Sequence, residues 1–152
     1  MTARGFTLLE LVVALAIAAL VATLATAGYE RTILRSRRLD AYAALNAVAT
    51  AQERHYLEYA RYASHFAPPD TDSEPATPDE AAAALPLPAM SPDGRYALAL
   101  ETDANALAYR VTARPIGTQR RDAACATFVL EHTGRRTALD ARGTDASSTC
   151  WR

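Results

Sequence analysis

The sequence contains no lysine: all sixteen of its basic residues are arginine. This absence excludes Schiff-base chemistry and the phosphate-binding loop that ends in Gly-Lys. An excess of positive charge is also missing. The formal net charge is −1, which excludes the strongly basic whole-chain balance of a typical nucleic-acid binder. With 152 residues, the chain is at most one ordinary domain.

Residues that carry chemistry are scarce as well. The three histidines, His55, His65 and His132, are far apart in the sequence, and there are only two cysteines. The histidines have no acidic or cysteine partners at metal-binding spacing. Neither a Gly-x-Ser-x-Gly elbow nor a glycine-rich phosphate loop occurs. We therefore expect no enzymatic activity, no cofactor and no metal, and we expect His55 to be a surface residue.

A long uncharged segment separates Glu10 from Glu30. As a helix, residues 11–29 would extend roughly 28 Å, which matches the roughly 30 Å hydrocarbon core of a bilayer. A buried core helix is a weaker interpretation, because so small a domain has little to surround it. A secretory signal peptide also fits poorly, since a carboxylate begins the apolar run. The segment therefore predicts a membrane-spanning helix.

The residues before this segment form a specific motif. A short basic leader ends in Gly5 and is followed by Phe6, a Thr-Leu-Leu triplet and Glu10. This order resembles the signature of type IV prepilins. The resemblance implies that a prepilin peptidase cleaves after Gly5 and that Phe6 is then N-methylated. It also implies that the protein leaves the membrane to join a helical filament.

Glu10 lies at the edge of the apolar helix, where a carboxylate is costly in lipid unless it is paired. Cleavage after Gly5 would create an amine at Phe6. In a filament, that amine can neutralise Glu10 of a neighbouring subunit and set the register, as a buried polar residue does in a coiled coil. The alternative is a simple favourable interaction of Glu10 with the helix N-terminus.

Two features depart from the family pattern. Many pilins have a proline about two-thirds along the apolar run, whereas this chain has Ala27 and Gly28. Glycine disrupts a helix less than proline does, so the sequence does not decide whether the helix kinks near Gly28. The second feature is a group of arginines after the run, which by charge alone would place that side in the cytoplasm. They are Arg31, Arg35, Arg37 and Arg38.

The rest of the chain predicts one globular head. The helix should continue to about Tyr59 with one moderately apolar face that packs on a sheet, a dimeric coiled coil being the alternative. The members of that face are Ala41, Leu45, Val48, Gln52 and Tyr56. A proline-rich loop follows over residues 60–93. Strand signals at 96–101, 108–114 and 127–131 are closely spaced, which predicts an antiparallel meander.

The resemblance implies an α+β pilin fold, in which a long N-terminal helix packs on a small antiparallel sheet with a C-terminal disulfide-bounded loop. It divides the chain into a leader at residues 1–5, a transmembrane and filament-core helix at 6–29, and a periplasmic head at 30–152. An exported head favours a disulfide between Cys125 and Cys150 over two free thiols. The sequence around these cysteines is similar to minor pilins of the PilE kind.

The implied function is structural. We expect a minor subunit of a type IV pilus, a single-pass inner-membrane protein that then joins the extracellular fibre for pilus biogenesis, adhesion or twitching motility. The implied partners are other pilin subunits, the prepilin peptidase, the inner-membrane assembly platform and the lipid bilayer. One alternative is a DNA-binding pilin for DNA uptake. Another is a pseudopilin of a type II secretion system, against which the late cysteine pair argues.

Two groups of charged residues offer alternative binding sites. Arginine is suited to phosphate contacts, so a patch of four arginines would serve DNA binding, although an ordinary charged surface is the simpler interpretation. The four are Arg110, Arg114, Arg120 and Arg121. Asp70, Asp72 and Glu74 alternate with polar residues in the proline-rich loop, where a calcium site is the less favoured interpretation.

Overall fold

The computed structural model describes residues 7–67 and 77–152. It begins with two nearly continuous helices, α1 (Leu8–Ser36) and α2 (Arg38–Tyr59). The first starts where the side chain of Thr7 accepts a hydrogen bond from the backbone N–H of Glu10, an ordinary N-terminal cap. The second ends at Ala60, whose left-handed backbone (φ 53°) ends the helix. The predicted helix end at Tyr59 is therefore confirmed.

The chain remains helical through Gly28, so a break there is not observed. The backbone carbonyl of Gly28 accepts a hydrogen bond from the hydroxyl of Thr32, 3.1 Å away. The separation between α1 and α2 lies instead at Arg37. The backbone N–H of Arg37 still reaches the carbonyl of Ile33 at 3.0 Å, so the helical path continues with little interruption.

After α2 the chain forms a small sheet and a larger one. Two short parallel strands, β1 (His65–Phe66) and β2 (Ala84–Leu85), flank the helical turn α3 (Pro78–Ala81). The larger sheet is antiparallel, with its strands in sequential order. Its strands are β3 (Tyr96–Thr102), β4 (Tyr109–Pro115), β5 (Thr127–Glu131) and β6 (Arg136–Leu139). A 3-10 helix (Gly117–Arg121) joins β4 to β5, and α4 (Ser147–Cys150) follows β6.

The predicted antiparallel meander is confirmed, and the three predicted strands are correct to within one residue at each end. The fourth strand, β6, was not predicted. It has four residues, and a turn with Gly134 at φ 79° returns the chain along β5 to form it. So short a segment gives little period-2 signal, and its pairing with β5 decides its conformation.

One face of the larger sheet packs on α2. Alternate residues along the strands, such as Val111 and Phe128, are fully buried against Leu45 and Val48 of the helix. Gln52 is buried too, because its side-chain amide makes two hydrogen bonds with the backbone of Ala63, at 2.8 and 2.9 Å. Four residues of the apolar face predicted for α2, namely Ala41, Leu45, Val48 and Gln52, are therefore buried within this chain, whereas Tyr56 is exposed.

His55 is buried, with 6% of its surface exposed, so the prediction of a surface histidine is wrong. The left-handed turn at Ala60 folds the chain back over the end of α2. This places the carbonyl of Arg61 2.9 Å from Nδ1 of His55, which donates to it. The ring also lies beside Tyr59, with 4.6 Å between ring centroids. His55 thus helps to close the core under this turn.

The predicted disulfide between Cys125 and Cys150 is present, and both cysteines are fully buried. It joins α4 to the segment just before β5, and further contacts attach the C-terminal residues to α2 and β6. Tyr42 of α2 donates a hydrogen bond to the carbonyl of Cys150. Trp151 stacks on Tyr42 at 4.9 Å between ring centroids, and its indole N–H donates to the carbonyl of Thr137 at 2.9 Å. The fold class expected from the sequence is therefore confirmed.

Candidate functional site

The first half of α1 presents apolar side chains without packing them on the head. Leu8, Leu9 and Leu20 have 80%, 76% and 64% of their surfaces exposed. The helical stretch Leu8–Tyr59 contains one segment that is long and apolar enough to cross a membrane, by length and composition. Among the side chains of α1 that the structure describes, partial burial begins at Ile33 and Leu34, where the helix reaches the head. This exposed surface is the first candidate site.

Glu10 lies in the first turn of this helix and is exposed. Its backbone N–H is bonded to Thr7, whereas its carboxylate makes no ion pair within residues 7–67 and 77–152. The predicted cleavage and methylation residues, Gly5 and Phe6, lie outside the described residues. The assigned roles of Gly5, Phe6 and Glu10 therefore stay predictions.

The four arginines predicted as a basic patch lie in different parts of the head. Arg110 donates to Glu131 on β5 at 3.0 Å and lies opposite Glu101 on β3, so carboxylates surround it. Arg114 lies near the other end of β4. Arg121 lies near α1, 3.8 Å from Glu30.

Arg121 instead lies close to arginines that follow the predicted membrane span. A groove of about 480 Å³ runs between α1, the 3-10 helix and the C-terminal residues. We call it the arginine groove. Its basic lining residues are Arg31, Arg35, Arg38, Arg121 and Arg152. The i, i+4 spacing of Arg31 and Arg35 places them on one helix face, which sequence alone could have revealed. That Arg121 and Arg152 lie beside them could not be predicted from the sequence.

A buried ion pair anchors the groove. Arg38 donates to both carboxylate oxygens of Asp122, from Nε at 2.7 Å and from Nη2 at 2.8 Å. This hydrogen bonding raises the pKa of the Arg38 guanidinium above its usual value. Next to this pair, the side-chain amide of Gln119 donates to the carbonyl of Leu34 at 3.0 Å. The 3-10 helix is thereby attached to the end of α1.

The charge of the groove is positive. The charge of Arg38 is balanced by Asp122, whereas Arg121 makes only an exposed ion pair with Glu30, at 3.8 Å, among the described residues. Arg31, Arg35 and Arg152 are exposed, and none of them makes an ion pair in the part of the chain that the structure describes. Guanidinium groups arranged in this way favour the binding of phosphate or carboxylate anions.

A metal centre is not assembled from the described part of the chain. Within residues 7–67 and 77–152, no group of three or more His, Cys, Asp or Glu side chains is placed to hold a metal ion. The alternative calcium site at Asp70, Asp72 and Glu74 lies outside the described residues.

Two family models match the sequence. Residues 1–26 match the prokaryotic N-terminal methylation motif. Residues 27–129 match the family described as type IV minor pilin ComP, DNA uptake sequence receptor. No curated protein matches the chain significantly.

Among solved structures, the chain is similar to a type IV pilin from Shewanella oneidensis. The two are 23% identical, and the match covers 68% of this chain and 89% of that one with a TM-score of 0.46. The ComP model accounts for more than half of the sequence, and the methylation motif accounts for its N-terminus. The chain therefore belongs to the family of type IV minor pilins described as ComP.

Proposed function

We propose that this minor pilin is stored in the inner membrane through α1, with its head in the periplasm, and is then assembled with other pilin subunits into the pilus. The apolar surface of α1 carries this proposal. Burying apolar surface gains about 25 cal/mol per Å², so a helix with so many exposed leucines and valines is stable only in lipid or against other apolar helices. The membrane supplies the lipid, and the core of a filament supplies the other apolar helices.

The proposed organisation follows that of the family. Residues 1–5 form a leader that the prepilin peptidase removes, residues 6–29 span the membrane and later enter the filament core, and residues 30–152 form the head. The methylated amine of Phe6 then pairs with Glu10 of a neighbouring subunit, with the inner-membrane assembly platform bringing the two together. The exposed carboxylate of Glu10 supports this role, because it is free to meet a cation from another chain.

The disulfide supports a head outside the cytoplasm. The arginines after the span argue for the opposite orientation, since positive residues favour the cytoplasmic side. However, Arg38 is neutralised by Asp122, and the Cys125–Cys150 disulfide needs an oxidising compartment. We therefore place the head in the periplasm and the role of the protein in structure rather than in catalysis.

The test is to find the subunit in pili. Fibres sheared from cells should contain the chain beginning at an N-methylated Phe6, as measured by intact-mass analysis. A matched strain that lacks the assembly platform should hold the same processed chain in its membrane fraction alone. Detection of the chain only in membranes of the piliated strain would overturn the proposal.

DNA binding is the second candidate function, because the matched family is described as a DNA uptake sequence receptor. In the head, Arg114 and Arg120 are exposed and make no ion pair within the described residues, so both are free to contact phosphates. The pseudopilin alternative has no comparable support.

A gel-shift titration of duplex DNA with the full chain in neutral detergent tests this function. The Arg114→Gln/Arg120→Gln variant should bind DNA more weakly and with a smaller dependence on salt, since each lost phosphate contact reduces the salt slope by about one. The Arg54→Gln/Arg142→Gln variant, which removes the same charge elsewhere, is the control. Equal binding by all three proteins would contradict a DNA site at these arginines.

A further inference from the structure

The arginine groove lies directly beyond the apolar half of α1. At about 1.5 Å per residue, Arg31 is about 3 Å and Arg35 about 9 Å beyond Tyr29, where the uncharged run ends. The headgroup region of a bilayer occupies several Å on each side of the hydrocarbon core. Side chains on a helix also tilt towards its N-terminus, which here is the direction of the membrane. Both guanidinium groups can therefore reach headgroup depth.

The groove is built by the fold and is more than a row of flexible arginines on a helix. Its far wall carries Arg121. The Gln119–Leu34 hydrogen bond attaches this wall to α1, and the Arg38–Asp122 ion pair attaches it to the start of α2. Arg152 is held at the groove because the disulfide fixes Cys150, two residues earlier, to Cys125 just before β5. Cations from three separate segments thus face one space of about 480 Å³.

We propose that the arginine groove binds the phosphate of an anionic phospholipid headgroup in the leaflet next to the head. The inference rests on the proposed insertion of α1 into the membrane. Guanidinium groups bind phosphate oxygens through paired N–H donors, and cations beside an anionic leaflet are attracted to it. A bound lipid compensates the unpaired charge of Arg31, Arg35 and Arg152 and holds the stored subunit at one depth. The contact must break when the subunit leaves the membrane.

Native mass spectrometry of the full chain in neutral detergent tests this proposal. Phosphatidylglycerol and phosphatidylcholine are added separately, and retained lipid is counted for each protein. The wild type should retain phosphatidylglycerol in preference to phosphatidylcholine. The Arg31→Gln/Arg35→Gln variant should bind phosphatidylglycerol roughly thirtyfold more weakly, because two cations near the phosphate are lost. The Arg54→Gln/Arg142→Gln control should behave as the wild type does.

A second variant tests whether weaker lipid binding could result from a local change in α1 alone. Arg152→Gln changes only the C-terminal side of the groove and should also weaken phosphatidylglycerol retention. Equal retention of the two lipids by the wild type, or unchanged retention by the Arg31→Gln/Arg35→Gln variant, would overturn the proposal. Release of the lipid by equimolar inorganic phosphate would identify a free-anion site instead. Preferential binding of a duplex oligonucleotide through Arg31 and Arg35 would assign the groove to nucleic acid and overturn the lipid assignment.

Membrane insertion is measured separately, so that the two proposals can fail independently. The wild type, incorporated into phosphatidylcholine vesicles, should resist extraction by alkaline carbonate, and the Arg31→Gln/Arg35→Gln variant should do the same. A wild type that is extracted overturns the proposed storage in the membrane and this inference with it. A wild type that stays inserted but shows no preference for phosphatidylglycerol overturns this inference alone.

Discussion

Arg38 and Asp122, 84 residues apart in the sequence, form a two-hydrogen-bond ion pair in the interior of the head. Only 10% and 4% of their side-chain surfaces are exposed. The pair joins the start of α2 to the segment just before Cys125, and so fixes the wall of the arginine groove to the helix. Its loss should therefore affect stability and groove geometry together.

Asp122→Asn should lower the free energy of unfolding by about 3 kcal/mol, because it leaves the charge of Arg38 buried without a counter-charge. Urea unfolding followed by near-ultraviolet circular dichroism measures the change. Arg110→Gln is the matched control, since the Arg110–Glu131 pair is exposed and should contribute less than about 1 kcal/mol. Equal effects of the two substitutions would contradict the importance of the buried pair.

Removal of the disulfide by Cys125→Ser with Cys150→Ser should lower the free energy of unfolding by about 3 kcal/mol, the entropic estimate for a loop of this size. The bridge closes a loop with a sequence separation of 25 residues. Alkylation of freshly exported wild type should label neither cysteine before reduction and both after it, as read by mass spectrometry. Labelling before reduction would argue against an exported head.

Glu10→Ala should still insert into the membrane, because a carboxylate in lipid costs a few kcal/mol on insertion scales and its removal can only help. Leader cleavage should also persist. Assembly should fail instead, since the Phe6 amine of a neighbour would enter the filament core without a counter-charge. The amount of subunit in sheared pili relative to membranes measures this. Unchanged incorporation would show that Glu10 only interacts favourably with the helix N-terminus and is not needed for assembly.

Gly5→Glu should block removal of the leader, because the peptidase must accept a small residue at the cleavage point. The variant should accumulate in membranes at the mass of the uncut chain, whereas the wild type loses residues 1–5. Thr2→Glu places the same charge in the leader, further from the cleavage point, and should still be processed. A wild type that keeps its leader would refute the cleavage prediction itself.

Two core tyrosines should resist ionisation in alkali. Burial raises the pKa of Tyr109 to about 12 and also raises that of Tyr96, because the phenolate is poorly solvated there. Folding therefore favours the protonated phenols. Their contribution to stability is complete below pH 10 and is lost as the pH rises towards about 12.

A pH titration followed by absorbance at 295 nm should show two tyrosines that ionise well above pH 10. Tyr109→Phe should remove one of them. Ionisation of every tyrosine near pH 10 in the folded protein would contradict the burial of these two rings.

Much of the fold could be predicted because its signals are local. The apolar run and the periodic face of α2 depend on residues within one or two turns of each other. Strands β3, β4 and β5 each alternate between buried and exposed residues, which is also a property of neighbours in sequence. The motif that carries the family likewise lies within one short segment.

The sequence by itself determined a long apolar helix, a meander and a cysteine pair in the C-terminal region, whereas the tertiary structure decided which charges meet. Of the four arginines chosen by sequence proximity, Arg110 meets Glu131 on β5 and Arg121 lines the arginine groove. Arg114 and Arg120 are exposed and belong to neither group. His55 was buried by a turn five residues further along. Such contacts depend on the paths of loops and on pairing across the sheet. Local periodicity carries no information about them, since any surface arginine has the same sequence pattern whether it meets a carboxylate or another arginine.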